Sequence, residues 1–140
     1  MEPSYLEQYF LEQHEVEAQF TLLTTEEGGR KIPVSSGYRG QFFYNGHDWD
    51  AQYTFGDIFG GLEPVQLGQT ITMYIQFMSP QCHFGRLFPQ KEFLVREGQR
   101  TIGKGHITRI LPPLEVHALR NQQGSRACKR EGEHCTLCHF

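Results

Sequence analysis

Two β-rich runs, Glu92–Glu97 and Arg100–Leu111, are separated by only two residues, Gly98-Gln99, in which the chain must reverse completely. Glycine first in a two-residue loop supplies the positive φ that a type II′ hairpin requires, so these runs are predicted to pair as antiparallel strands. The turn then fixes the register. Glu97 should face Arg100 as an ion pair, Arg96 should face Thr101, and Val95 should face Ile102, with Phe93 beside them on one apolar face. Gly103 and Gly105 would weaken a flat strand; glycines there suit a bulge, a barrel corner or the close approach of another backbone. A closed barrel meets all three conditions.

Other segments carry the same signature. Val16–Thr24 reads as a first strand, and Gly37–Asn45 and Trp49–Phe55 as a hairpin around Asn45-Gly46-His47-Asp48. Gln69–Phe77 alternates most cleanly, with Ile71, Met73, Ile75 and Phe77 opposed to Thr70, Thr72, Tyr74 and Gln76. With 13% aromatic residues, 15 Gly and 7 Pro, short strands and tight turns fit better than a helical bundle. The expected fold is all-β, a closed antiparallel barrel of six strands, and 140 residues suffice for one such domain without a disulfide framework. The expected buried set includes Phe20, Leu22, Phe42, Ile71, Met73, Ile75, Phe93, Val95 and Ile102.

Three stretches resemble a known family. Arg96-Glu-Gly-Gln-Arg-Thr-Ile-Gly-Lys-Gly105, Glu26-Glu-Gly-Gly-Arg-Lys-Ile-Pro33 and Gly37-Tyr-Arg-Gly-Gln-Phe42 are similar, in the same order, to motifs of the third, C-terminal β-barrel domain of elongation factor Tu and related translational GTPases. The resemblance runs from about Val16 to Leu111. Gly40 stands where the family carries proline, and Ser79 stands where some relatives carry a lysine near the tRNA.

Both ends of the chain fall outside that resemblance. Residues 1–15 are expected to form an amphipathic helix: Pro3-Ser4-x-x-Glu7 is a capping box, and Tyr5, Leu6, Tyr9 and Phe10 fall on one stripe. It is expected to lie as a lid over one end of the barrel, with a docking helix for a partner as the alternative. Residues 112–140 read as a disordered tail after Pro112-Pro113. Cys135-Thr-Leu-Cys138-His139 matches a covalent haem pattern, but nothing else in the chain supports haem. Cys128, His134, Cys135, Cys138 and His139 offer zinc donors without a second paired knuckle, so unliganded, reduced thiols are expected and no cofactor or metal.

No Gly-x-x-x-x-Gly-Lys-Ser/Thr appears, so the chain has no phosphate loop of a GTPase, and no Ser, Cys or acid lies where a nucleophile would be activated. The expectation is a non-catalytic binding module. The net charge of −3, with five glutamates and no base in the first twenty residues, argues against a basic arm for DNA; no apolar run is long enough for a membrane, and a soluble, cytoplasmic chain is expected.

Two binding readings remain. Thr25–Ser36 is a loop in which Gly28-Gly29 forces a turn and presents Arg30 and Lys31 together, a pattern that can grip phosphate. The resemblance implies that this loop faces the T-stem of tRNA, with Arg30 and Lys31 at its basic contacts; Arg96, the Gly98 turn and Arg100 are expected to complete the surface, and Tyr38 and Arg39 either stack and pair with RNA or close the barrel end. Against it stands a protein-interaction module: the resemblance implies contacts with a GTPase domain and an exchange factor, which a free copy would imitate or compete with. Ser79–Gln90 departs from the family, and its apolar-aromatic residues are expected to be extra packing for the added helix, with Phe84, Leu87 and Phe88 as an apolar rim for such a partner as the alternative. Weak net charge favours the protein partner.

Overall fold

The computed structural model describes residues 5–56 and 64–114. A seven-residue helix, α1 (Tyr5–Leu11), precedes six strands: β1 (Val16–Leu22), β2 (Arg39–Tyr44), β3 (His47–Phe55), β4 (Thr70–Phe77), β5 (Glu92–Glu97) and β6 (Arg100–Ile110). They close in the order β1-β4-β3-β2-β5-β6, every neighbour antiparallel. The all-β closed barrel is therefore as the sequence predicts. Alternation explains its core. Phe20, Leu22, Phe42, Met73, Ile75, Phe93, Val95 and Ile102 are buried, joined by Trp49 and Tyr53, and only Ile71 of the expected set is partly open.

At Gly98, φ is +60°, as a type II′ turn requires at its first position. Glu97 faces Arg100 and Arg96 faces Thr101, but Val95 faces Gly103 rather than Ile102, because a bulge intervenes. The cause lies across the barrel. A Cβ on Gly103 would sit 2.2 Å from the Phe20 ring, so β6 passes bare backbone over that ring while Ile102 is fully buried beside it. Gly105 repeats the device, its missing Cβ leaving room for the Gln19 carbonyl and the Phe93 ring. The other hairpin is tighter than its four-residue reading: Asn45 and Gly46 both have positive φ, a type I′ pair, and His47 already pairs with Tyr44.

Helix α1 does not cap a barrel end. Glu15 donates its N–H to the Ile75 carbonyl at 2.8 Å, carrying the β1–β4 ladder past Val16 and turning the preceding residues onto the side wall. There Phe10 meets Tyr74 edge-on, centroids 5.0 Å apart, while Tyr9 is exposed. Tyr74 alternates with the core residues Met73 and Ile75, so it points outward, and yet it is buried. The Ser4 cap and the side chains of Tyr5 and Leu6 lie outside the described residues.

Residues 79–90 pack rather than protrude. A 3-10 turn, Pro80–His83, buries His83 completely; its ring lies 4.0 Å from Phe77 and 4.7 Å from Trp49, and Nδ1 meets the Tyr44 hydroxyl at 2.7 Å. Cys82 takes part in a disulfide, a bond that the sequence, read as having no disulfide framework, did not lead one to expect. Leu111 and Leu114 are buried and a helical turn begins at Pro112, so order persists slightly beyond the expected tail boundary. The tail's cysteines and histidines lie outside the described residues.

Candidate partner-binding rim

The loop after β1 is built to hold one shape. Thr24 and Glu27 form a reciprocal capping box, with Thr24 N–H donating to Glu27 Oε1 at 2.8 Å and Glu27 N–H donating to Thr24 Oγ1 at 3.2 Å. Gly28 then takes the left-handed conformation at φ +96°, and Gly29 lies so close to Leu23 that a Cβ would come within 2.8 Å of its carbonyl oxygen. Past this turn, Thr25 Oγ1 donates to the Arg30 carbonyl at 2.6 Å. The result is a fixed launch point for Arg30.

From there Arg30 turns inward. Its Nε donates to the Ile32 carbonyl at 3.0 Å, Nη1 pairs with Glu97 Oε2, and the guanidinium lies 5.3 Å over the Tyr38 ring. Tyr38 donates its hydroxyl to the same Glu97 oxygen at 2.6 Å and stacks on Tyr53 with centroids 6.1 Å apart. Burial pushes the Tyr38 phenol well above its usual range, and the Glu97 carboxylate beside it adds to the rise. Glycine at position 40 fits this arrangement, since a Cβ there would meet the Tyr38 ring at 2.7 Å. The proline found at this position in the family would bring that Cβ.

Arg30, Tyr38 and Glu97 thus form a clasp between three segments distant in sequence. Glu97 was expected to pair with Arg100; it faces Arg100 across the strands, but its carboxylate is spent on Arg30 and Tyr38. Each clasp residue has an exposed cation beside it: Lys31 follows Arg30, Arg39 follows Tyr38, and Arg100 lies opposite Glu97. Gly98 is exposed between the last two. Of the sequence candidates, Lys31, Arg39, Gly98 and Arg100 are exposed and adjoin the clasp in sequence or register, whereas Arg30 and Tyr38 are turned into it.

Arg96 does not join them. Its guanidinium lies 4.6 Å over the Phe43 ring and 3.8 Å from Asp48 Oδ2, back along the outer wall of β2 and β3. The apolar rim also changes character. Phe84 and Leu87 are 8% and 7% exposed and belong to packing, so of the three residues proposed for a protein contact only Phe88, at 52%, is presented to solvent. A second exposed apolar residue, which the sequence reading left out, is Ile32 at 61%, next to Lys31 at the loop tip. A groove of about 610 Å³ runs elsewhere, over the outer wall by Phe43, Leu94, Lys104 and His106. A smaller one of about 290 Å³ borders Arg39, Gln41 and Asp50.

Among the described residues no cluster of three His, Cys, Asp or Glu side chains is arranged to hold a metal, and no helix is long and apolar enough to cross a membrane. Among the described residues, the clasp is a fixed frame with exposed cations next to it in sequence and register. The matching fold, the three motifs and the clasp on which they converge agree with a comparison against family models: residues 10–111 match the elongation factor Tu C-terminal domain, and the chain belongs to that family.

Proposed function

We propose that this barrel is a non-catalytic, translation-related module that holds the phosphate backbone of a folded RNA stem of tRNA type on its rim. The observation that supports the reading is the clasp: one ion pair and one hydroxyl bond join three segments, and each segment carries an exposed cation next to its clasp residue, Lys31, Arg39 and Arg100. Cations on a rigid frame meet phosphates with little loss of side-chain freedom, and on an A-form helix such contacts read shape rather than sequence. Family membership supports the class of partner. Arg30 and Tyr38 act here as positioning residues.

With three cations and a net charge of −3, binding should be modest and depend shallowly on salt. At about 0.7–0.9 per neutralised phosphate, log K should fall by roughly 2–3 per decade of salt. Fluorescence anisotropy with a labelled tRNA, across a salt series, tests this. Lys31→Ala, Arg39→Ala and Arg100→Ala combined should abolish binding while leaving the melting midpoint nearly unchanged. A parent that does not bind tRNA at low salt, or a triple variant that binds like the parent, overturns the reading.

The second reading is a protein partner, with Ile32 and Phe88 as exposed apolar anchors. It loses the contact area that Phe84 and Leu87 would have given. A pull-down with and without ribonuclease separates the two: partners that survive digestion and are lost in Ile32→Ala or Phe88→Ala favour protein contact.

A further inference from the structure

Among the described residues, helix α1 meets the barrel wall through the Phe10 ring and the His14 imidazole that follows it. His14 is only 8% exposed; its ring lies 4.4 Å from that of Phe10 and 6.0 Å from that of Tyr74. Nδ1 is 3.0 Å from the Phe10 carbonyl, and Nε2 is 3.3 Å from Thr54 Oγ1. The carbonyl can only accept, so Nδ1 carries the proton, and neutral Nε2 then accepts from the threonine hydroxyl. One ring therefore joins the last turn of α1 to β3 and β4 together. A helix of seven residues is too short to persist unsupported, so its form depends on this docking.

We propose that His14 is an acid-sensitive latch: α1 is held on the β3–β4 wall while the ring is neutral and comes away when the ring is protonated, uncovering Tyr74 and Thr54. As imidazolium, the ring loses its accepting nitrogen and places a charge between two aromatic rings. Among the described residues the titratable groups nearby offer it no free counter-ion. Glu15, next in sequence on the same segment, gives its carboxylate to the Phe77 N–H at 2.6 Å. Glu17 on β1, which flanks Tyr74 in register, is bound to Thr108 and Arg109. Tyr74 on β4 presents its ring, and β3 contributes the uncharged Thr54. Burial also holds the His14 pKa below its ordinary value, opposed in part by the Phe10 carbonyl. The sign follows: docking is complete above the free-histidine pKa and is lost as the pH falls. The undocked fraction should rise by up to about tenfold per pH unit below roughly 6.5, until the docked ring itself titrates.

The test is NMR of the whole chain between pH 8 and 5. The ring-current-shifted resonances of Phe10 should move to unstructured positions with the same midpoint as the His14 ring signals, while the near-ultraviolet signal of Trp49 reports an intact barrel. His14→Gln, which does not titrate, should remove the pH dependence whether it leaves α1 docked or free. Glu15→Gln should leave the transition in place. Phe10 signals that do not change with pH, or that shift equally in His14→Gln, overturn the latch. So does a Phe10 midpoint that follows Glu15→Gln instead of His14.

Discussion

Glu15→Gln isolates one buried carboxylate. Glu15 is 6% exposed, and burial raises its pKa from 4.5 to about 7, against the opposing effect of the Phe77 N–H that donates to it. The folded chain therefore binds this proton more tightly than the unfolded chain does. The stability linked to the group is fully present below about 4.5 and is lost as the pH rises through about 7. At about 1.36 kcal/mol per pH unit the loss is about 3 kcal/mol. Glutamine keeps an oxygen for Phe77 and carries no charge. The variant should match the parent near pH 4.5 and exceed it by about 3 kcal/mol at pH 8. Urea unfolding followed by fluorescence of Trp49, the single tryptophan, measures this, and taking the difference between the two proteins cancels every other titrating group. A stability difference that is the same at pH 4.5 and pH 8 would show that Glu15 is not the buried acid described here.

Two further substitutions probe the turn and the packed loop. Gly98→Val places a β-branched residue at φ +60° and should cost about 1–3 kcal/mol; an unchanged thermal midpoint would refute the type II′ assignment. Phe84→Ala should cost about 3–5 kcal/mol as a core truncation, and Phe88→Ala at its exposed site less than about 0.5 kcal/mol; equal effects in thermal unfolding would contradict the division between packing and surface.

The hairpin at Gly98 was legible because a two-residue turn sets the pairs next to it without reference to the rest of the molecule. That authority lasted two pairs. The bulge at Ile102 depends on where Phe20 sits, and Phe20 reaches β6 only through closure of the barrel. The rim was legible in composition but not in geometry. Arg30 and Lys31 are adjacent and look equivalent in sequence, but Glu97, distant in the chain, draws one inward and leaves the other out. Ser79–Gln90 reads in sequence as either packing or surface, and the choice between them was hidden for a related reason. Its buried His83 answers to Phe77, Trp49 and Tyr44, three residues on three strands, which no local pattern brings together.

β1 is bonded on one side to β4 and on the other to β6, the last strand of the barrel. During synthesis its second edge has no partner until β6 has left the ribosome, and long-range pairing of this kind folds slowly. The clasp has the same timing, because Arg30 is made early and Glu97 late. A nascent or truncated chain presents Lys31 on an unfastened loop. A partner that needs the rigid rim would therefore select finished barrels over partial ones, with no separate device to inspect them.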